Sequence, residues 1–333
     1  HRTRGTEQLL LRLRVSRVPP GRGSPRRTRR KESMRIAVAS GKGGTGKTTV
    51  AANLAYVASR EGHTVAYLDC DVEEPNGALF LKPAITEREP VHVSIPAVEE
   101  TQCTNCGLCG VLCQYSAIVP IKGKVLIFPE LCHGCGGCWL VCGSGALSES
   151  RRSTGRLETG NANGIRFIQG ILDIGQAMSP PVIRAVKAAA PDAGLVVIDA
   201  PPGTSCPVIE SVRDSDYVLL VTEPTPFGLN DLKLAVEMVR VLGLPFGVVI
   251  NRAGTSASDT HAWCEHEQIP ILVEIPDDRH VAEAYSRGEM VCEAIPEYLP
   301  VFSRLLQRIK DLLSAESAAA LGQLEAAAVK EGT

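Results

Sequence analysis

The chain has 333 residues, of which 44% are hydrophobic and only 4% aromatic, and its formal net charge is −2. This composition supports a core of Ala, Val, Ile and Leu and excludes a disordered or collagen-like chain. No apolar run reaches the roughly 18 to 20 residues that a membrane-spanning helix needs, so we expect a soluble, cytoplasmic protein. The length fits one large α/β domain with a second compact piece.

Residues 1–33 form a basic segment that differs from the rest of the chain. It carries eleven Lys and Arg against two Glu, is rich in Pro, Gly and Ser, and is followed by Met34. One interpretation is attachment to nucleic acid or to an anionic membrane. We favour the other, a disordered leader or upstream sequence read in from a misplaced start, because the segment is rich in Arg, Pro, Gly and Ser and a predicted strand starts at Met34.

A phosphate-binding motif follows the first predicted strand, residues 35–40. Residues 41–48 match the pattern G-x4-G-K-[ST], and apolar residues at helical spacing come next. In this context the backbone N–H groups of the loop hold the phosphates of ATP, Lys47 reaches the β- and γ-phosphates, and Thr48 binds Mg²⁺. The predicted nucleotide-binding residues of the loop are Gly41, Lys42, Gly43, Gly44, Thr45, Gly46, Lys47, Thr48 and Thr49.

Polar residues end three further predicted strands. The strand 64–68 is followed by Asp69 and Asp71, the strand 195–199 ends in Asp199, and the strand 246–251 ends in Asn251. Parallel strands that end at one sheet edge bring such residues around a bound phosphate. One carboxylate can then hold the hydration shell of Mg²⁺ and another can orient the attacking water. Strand-end capping and a turn role are the structural alternatives.

Eight of the twelve cysteines form two runs of the same spacing, C-x2-C-x2-C-x3-C. Such runs bring thiolates together around a metal cluster, whereas disulfides, the alternative, join distant loops. The spacing resembles that of bacterial two-cluster ferredoxins, in which the fourth cysteine of each run ligates the other cluster. It departs from theirs at Gln114 and Gly143, where they have proline. The implied ligands are Cys103, Cys106, Cys109 and Cys142 for one [4Fe–4S] cluster, and Cys132, Cys135, Cys138 and Cys113 for the other.

Lys42, directly after the first glycine of the loop, makes the chain resemble the deviant Walker A group of P-loop ATPases. This MinD/ParA superfamily includes the nitrogenase iron protein and the Mrp-type cluster carriers. The resemblance implies a homodimer with nucleotide at the interface, where Lys42 contacts the nucleotide of the other subunit. It also implies that Asp199 is the Walker B residue and that Asp71, in switch I, positions the attacking water.

The same resemblance assigns the remaining contacts. It implies that Asn251 reads the adenine base and that the loop at Pro276 and Asp277 closes over that base. The implied Mg²⁺ site consists of Thr48, Asp69 and Asp199. The implied catalytic residues are Lys42, Lys47, Asp71 and Asp199.

Predicted strands alternate with predicted helices after the cysteine runs. The strands are 195–199, 217–222, 246–251 and 271–274, and the helices are 229–242, 258–268, 279–287 and a closing helix at 297–313. This alternation predicts a doubly wound, mainly parallel α/β sheet of the P-loop NTPase class. The cysteine runs predict a small inserted α+β domain of the bacterial ferredoxin type, which a polar linker at 148–164 would join back to the sheet.

The predicted domain order follows from these elements. It comprises a leader at 1–33, a discontinuous ATPase domain at 34–90 and 150–313, the inserted ferredoxin domain at 91–149, and a flexible tail at 314–333.

Together these features predict a slow, partner-stimulated, Mg²⁺-dependent ATPase. Its nucleotide state would gate electron transfer to an unidentified redox or metallocluster partner protein, or metal-cluster assembly on that partner. Two alternatives are a partitioning ATPase with structural clusters and an ATP-gated sensor with negligible turnover.

Cys206 lies seven residues after Asp199, the offset of the cluster-ligating cysteine in the nitrogenase iron protein. A small buried hydrophobe is the default interpretation of such a cysteine.

Overall fold

The computed structural model describes residues 33–254 and 258–331. The predicted leader at 1–33 lies outside these residues except for Ser33. Among the described residues, no helix combines the length and hydrophobicity that crossing a bilayer requires.

Eleven strands and eleven α-helices make up the described chain. The strands are β1 (Met34–Ala39), β2 (Val65–Asp69), β3 (Ala84–Val98), β4 (Ile118–Ile121), β5 (Lys124–Ile127), β6 (Leu147–Ala162), β7 (Ile165–Leu172), β8 (Leu195–Asp199), β9 (Tyr217–Thr222), β10 (Phe246–Ala253) and β11 (Ile271–Pro276). The helices are α1 (Lys47–Arg60), α2 (Gly77–Leu81), α3 (Leu108–Leu112), α4 (Gly137–Leu140), α5 (Pro180–Ala188), α6 (Cys206–Val212), α7 (Pro226–Leu242), α8 (Ser258–His266), α9 (Arg279–Ser286), α10 (Val291–Ala294) and α11 (Leu299–Glu331).

One nine-stranded sheet organises the chain, with the strand order β11-β10-β9-β1-β8-β2-β7-β6-β3. The strands from β11 to β7 run parallel, and β6 and β3 add two antiparallel strands at one edge. The predicted mainly parallel α/β sheet is confirmed. The strand order reverses beside β1, and in such sheets the crevice at the carboxyl ends of the central strands is the usual binding site.

Apolar side chains cover both faces of the sheet. On one face, Ile36 and Val38 of β1 pack with Leu54 of α1 and Leu305 of α11. On the other face, residues one position away along the same strand, such as Ala37, pack with α5, α6 and α7. The central parallel strands are buried on both sides because parallel sheets carry helices on both faces, and this explains their continuous apolar sequences.

The predicted linker at 148–164 is wrong, because most of this segment belongs to β6. β6 pairs with β3 on one side and with β7 on the other. Its glycines reflect close contact between strands: a Cβ at Gly155 would lie 2.4 Å from the carbonyl oxygen of Ile171, and one at Gly160 would lie 2.3 Å from that of Ala84. The glycines that indicated a flexible linker are instead required by strand packing.

β3 and β6 continue beyond β7 as a two-stranded ribbon. β7 pairs with β6 only from Gly155 onward, whereas β3 and β6 remain paired as far as Val98 and Leu147. The ribbon ends in the cysteine module, residues 99–146, which contains the β4–β5 hairpin. The predicted domain limits at 90/91 and 149/150 therefore fall within paired strands.

The closing helix is longer than predicted. α11 continues from Leu299 to Glu331 and so covers most of the segment 314–333 that we had expected to be a flexible tail. Alanine has the highest helix propensity, and the alanine-rich composition of this segment accounts for the continuation.

Candidate functional site

The P-loop, residues 41–49, joins the end of β1 to the start of α1. Gly44 and Gly46 have positive φ angles of 79° and 90°, which a residue with a side chain rarely adopts. A Cβ at Gly46 would also lie 2.3 Å from Nδ2 of Asn251. The Ser40 hydroxyl donates to the carbonyl oxygen of Lys42 at 2.6 Å. These constraints hold the loop against the carboxyl ends of β1 and β10.

Lys47 and Asp199 lie together at this edge of the sheet. Lys47, the first residue of α1, is 7% exposed, and Asp199, at the end of β8, is fully buried. Burial raises the pKa of Asp199, while the charge of Lys47, the nearby hydroxyl of Thr48 and the hydrogen bond from Tyr67 oppose that shift. The structure thus brings together three predicted site residues, Lys47, Thr48 and Asp199.

Two buried oxygens at this edge have no hydrogen-bond partner among the described residues: Oγ1 of Thr45 and Oδ1 of Asp199. Buried polar atoms are normally paired, and an unpaired one at a functional site is often explained by a missing ligand or ion. A hydroxyl on a P-loop and a free carboxylate oxygen beside Lys47 fit a phosphate group with a hydrated Mg²⁺. The residues present are therefore compatible with a magnesium nucleotide.

Asp69 shapes the loop that follows β2. Its Oδ1 accepts a hydrogen bond from the backbone N–H of Asp71 at 3.1 Å, and its Oδ2 accepts one from Gly77 at 2.8 Å. Burial and the nearby Asp199 raise the pKa of Asp69 well above its ordinary value. Both carboxylate oxygens of Asp69 therefore hold this loop in place. The predicted role of Asp69 as a Mg²⁺ ligand stays a prediction.

Asp71 is less buried than Asp69 and lies closer to solvent. Burial raises its pKa to about 6, although the positive charge of Lys47 acts in the opposite direction. Asp71 therefore titrates close to neutral pH. Its predicted role in positioning the attacking water stays a prediction.

The predicted base-binding residues lie at the ends of β10 and β11. Nδ2 of Asn251 donates to the carbonyl oxygen of Thr45 at 2.8 Å, so this side chain is anchored on the P-loop. Asp277 follows Pro276, the last residue of β11, and its backbone N–H donates to the carbonyl oxygen of Ala253 at 3.0 Å. All these residues lie where the parallel strands have their carboxyl ends, next to the P-loop. We call this end of the sheet the P-loop edge.

Glu223 is a residue of this edge that the sequence reasoning missed. Its Oε2 lies 3.3 Å from Nζ of Lys42, and its Oε1 accepts a hydrogen bond from Arg252. Glu223 directly follows β9, as Asp71 and Asp199 lie at or near the ends of their strands. That shared position at a strand end was the signal that could have identified it.

The cysteine module contains two cavities, and each is lined by four cysteines. The first cavity is lined by Cys103, Cys106, Cys109 and Cys142, with apolar neighbours that include Leu108 and Val125. The second is lined by Cys113, Cys132, Cys135 and Cys138, together with Pro96 and Trp139. Each set takes three cysteines from one run and the fourth from the other, the grouping that the resemblance to two-cluster ferredoxins implies; that these cysteines ligate clusters stays a prediction.

The module is an internal repeat. Gly107 and Gly136 occupy equivalent positions in the two cysteine runs and have nearly equal φ angles of 77° and 76°. Asn105 and Gly134 form a second equivalent pair, with φ angles of 55° and 68°. Positive φ at the same places turns both loops in the same way, so that each loop wraps its cavity.

Backbone hydrogen bonds close the two halves symmetrically. The N–H of Phe128 donates to the carbonyl oxygen of Ala117, and the N–H of Glu99 donates to that of Ala146, both at 2.8 Å.

Among the described residues, no group of three or more His, Cys, Asp or Glu is arranged around a single metal ion. Four cysteine side chains line each cavity, a donor number and type compatible with an iron-sulfur cluster.

The remaining cysteines lie apart from these cavities. Cys70, Cys264 and Cys292 are buried, and burial raises the thiol pKa to about 11 for Cys264 and about 12 for Cys292. They are small core residues, as expected. Cys206 is exposed at the start of α6. It is therefore not the small buried residue that was the default interpretation, and its contact with a cluster stays a prediction.

A family model and several relatives match this chain. A model described as the CobQ/CobB/MinD/ParA nucleotide binding domain matches residues 36–291. An uncharacterised protein of Methanocaldococcus jannaschii is 30% identical over 262 residues, 78% of this chain and 91% of that protein. An iron-sulfur cluster carrier protein of the same organism is 25% identical over 301 residues, 83% of this chain and 85% of that protein.

The fold is also found in a solved structure. The septum site-determining protein MinD of Pyrococcus horikoshii, in complex with Mg-ADP, has a TM-score of 0.53 and 21% sequence identity. The match covers 84% of this chain and 97% of the solved one. At this identity the likeness concerns the fold alone.

Proposed function

The chain belongs to the CobQ/CobB/MinD/ParA nucleotide-binding family, and we propose that it is a Mg²⁺-dependent ATPase that carries two [4Fe–4S] clusters. ATP binding and hydrolysis at the P-loop edge would control electron transfer from the clusters to a partner protein, or metal-cluster assembly on that partner. The observation that carries this proposal is the pair of cavities, because each gathers four cysteines from both runs.

The P-loop edge supports the ATPase part of the proposal. Lys47 would bind the β- and γ-phosphates, and Thr48 with Asp199 would hold the hydrated Mg²⁺. Asp71 would orient the attacking water, for which its carboxylate must be ionised. Lys42, whose side chain is 33% exposed, is accessible to a second subunit, which supports a homodimer with nucleotide at its interface.

Residues 70–98 connect the two sites along the chain. The loop after β2 is held by Asp69, and this loop leads through α2 into β3, whose far end carries the cysteine module. The second cavity lies against this ribbon: a Cβ at Gly134 would lie 3.0 Å from Val93. Nucleotide-dependent contacts that move the loop after β2 would therefore move the base of the ribbon.

The surface of the module supports docking of a partner protein. Val111 and Leu140, at equivalent positions in α3 and α4, are 76% and 80% exposed. Residues 101–121 contain no charged side chain. Clustered exposed apolar residues of this kind are typical of protein interaction sites, and here they lie on the helices that follow the cysteine loops.

The test is anaerobic reconstitution followed by measurement of bound iron and of the EPR spectrum after reduction. The unaltered chain should bind about eight irons, four per cluster. Cys142→Ala and Cys113→Ala should each disturb one cluster, and a different one, because these are the two exchanged ligands. Cys264→Ala, at a buried core cysteine that lines neither cavity, is the matched control and should retain both clusters. Equal spectra for the Cys142, Cys113 and Cys264 variants would contradict the proposal.

A further inference from the structure

Tyr67 makes a buried contact with Asp199 that nothing in the proposed chemistry assigns. The Tyr67 hydroxyl donates to Oδ2 of Asp199 at 2.9 Å, and both side chains are fully buried. β2 and β8 are parallel neighbours in which Tyr67 is paired with Val197 and Asp69 with Asp199. The tyrosine ring thus extends along the face of the sheet toward the carboxyl end of β8.

Two neighbours fix the ring of Tyr67. Phe167 of β7 is stacked on it with a centroid distance of 5.7 Å and an interplanar angle of 8°. On another side Gly77 is in close contact: a Cβ there would lie 2.6 Å from Cε1 of Tyr67 and 2.8 Å from its hydroxyl oxygen. Position 77 therefore has no room for a residue larger than glycine. Gly77 and Phe167 together hold the ring of Tyr67 so that its hydroxyl lies against Asp199.

The two carboxylate oxygens of Asp199 are therefore not equivalent. Oδ2 is occupied by Tyr67, whereas Oδ1 is buried and has no hydrogen-bond partner among the described residues. Lys47 and Thr48 both interact with this carboxylate from the P-loop. Without the tyrosine contact, the carboxylate of Asp199 could rotate and present either oxygen to the metal. The oxygen that faces the metal would then be oriented less precisely.

We propose that Tyr67 is a positioning residue that holds Oδ2 of Asp199 and thereby directs Oδ1 toward the hydrated Mg²⁺ of the bound nucleotide. This inference rests on the proposed function, since it requires that Asp199 serves a magnesium nucleotide. Partners that orient metal-binding carboxylates typically contribute about 10- to 100-fold to metal affinity. The role is specific to the metal, so nucleotide binding without Mg²⁺ should not depend on Tyr67.

The test compares Tyr67→Phe with Tyr217→Phe. Tyr217 is also almost fully buried in the same sheet, but it belongs to β9 and its hydroxyl lies near Gly247. Binding of a fluorescent ADP analogue is titrated with Mg²⁺ and, separately, measured in EDTA. We expect Tyr67→Phe to raise the half-saturating Mg²⁺ concentration about tenfold without changing affinity in EDTA. Tyr217→Phe should leave both quantities unchanged.

The outcomes separate the inference from the proposed function. If the unaltered protein gains no nucleotide affinity from Mg²⁺, both fail. If it does, and Tyr67→Phe behaves like Tyr217→Phe or weakens binding equally in EDTA, the positioning role alone is overturned. Should Tyr67→Phe not fold, Phe167→Leu loosens the ring but keeps the hydroxyl. A smaller rise in half-saturating Mg²⁺ would then support the role, and no rise would overturn it.

Discussion

The P-loop edge and the cysteine module are built in opposite ways. At the P-loop edge, Lys47, Asp69 and Asp199 are buried on a nine-stranded sheet whose two faces are covered by large apolar clusters. At the module, the apolar cluster has only four buried residues, one of which is Leu147 at the start of β6, and most of the cysteines of the module are half-buried or exposed. The module is attached to the sheet through the β3–β6 ribbon.

The difference indicates where each region obtains its stability. The sheet buries enough apolar surface to fix the P-loop edge before any ligand binds. The module buries too little apolar surface for its length, and small domains of this kind usually need disulfides or metal to fold. We therefore expect the proposed clusters to be structural as well as functional, whereas the P-loop edge should be preformed.

The largest expected effect is at the P-loop edge. Lys47→Ala removes the charge that would stabilise the transferring phosphate, so ATP hydrolysis should fall by about 10²- to 10³-fold. Lys122→Ala, an exposed lysine in the module, is the matched control and should retain activity. Phosphate release is measured for both variants, and thermal unfolding without nucleotide checks their folding. Full activity in the Lys47 variant would contradict the assignment.

Iron removal tests whether the cysteine module depends on metal for its stability. Anaerobic chelation should lower hydrogen-exchange protection in residues 99–146 by roughly 100-fold or more, because the small core cannot hold the cysteine loops without metal. Protection in β1 and β8 should not change, since those strands belong to the sheet core. A module that keeps its protection after loss of iron would show that the two regions are equally self-sufficient.

A pH profile examines Asp71, whose pKa burial raises to about 6. Folding favours its neutral form, so this residue's contribution to stability is present below its ordinary, unfolded pKa and is lost as pH rises through about 6. In the proposed mechanism hydrolysis has the opposite dependence, because the ionised carboxylate would orient the water. The value of kcat/KM for MgATP, which reports the pKa values of the free protein, should fall about tenfold per pH unit below about 6.

Asp71→Asn supplies the control for that profile. The variant should be slow at every pH, and the acidic limb should be absent. An acidic limb that persists in Asp71→Asn would assign the titration to another group at the P-loop edge.

The smallest expected effect concerns Glu223. Glu223→Gln weakens its ion pair with Lys42 and leaves Lys42 free to reach nucleotide. Since partly exposed ion pairs contribute little, ATP affinity should rise by only about two- to threefold, and by less at high salt. Isothermal titration at two salt concentrations measures the change. A large loss of affinity would show instead that Glu223 itself contacts the nucleotide.

Much of the P-loop edge could be predicted from the sequence because its residues follow strand ends. A buried strand that ends in Asp199 or Asn251 indicates both the element and its position at the edge. The Tyr67–Asp199 contact could not be predicted in this way, because a tyrosine within an apolar strand looks like an ordinary core residue. Its partner is determined by the strand order, and local sequence does not reveal which strands are neighbours.

The ribbon shows a second limit. Residues 148–162 are polar and contain glycine, a composition that is typical of a linker. They form the strand β6 because they pair with the neighbouring strands β3 and β7. β7 and α5 were also not predicted. The grouping of the cysteines could be predicted only through the resemblance to two-cluster ferredoxins, because the repeated spacing alone does not show that the fourth cysteine of each run belongs with the other run.

Reduction potentials test most directly whether the P-loop edge communicates with the cysteine module. An EPR-monitored redox titration is carried out without nucleotide, with MgADP, and with a non-hydrolysed ATP analogue, and Lys47→Ala serves as the control. We predict a shift of at least about 60 mV between nucleotide states, one tenfold step for a one-electron couple, and no shift in the Lys47 variant. Potentials that are the same in all three nucleotide states would contradict the coupling of ATP to the clusters.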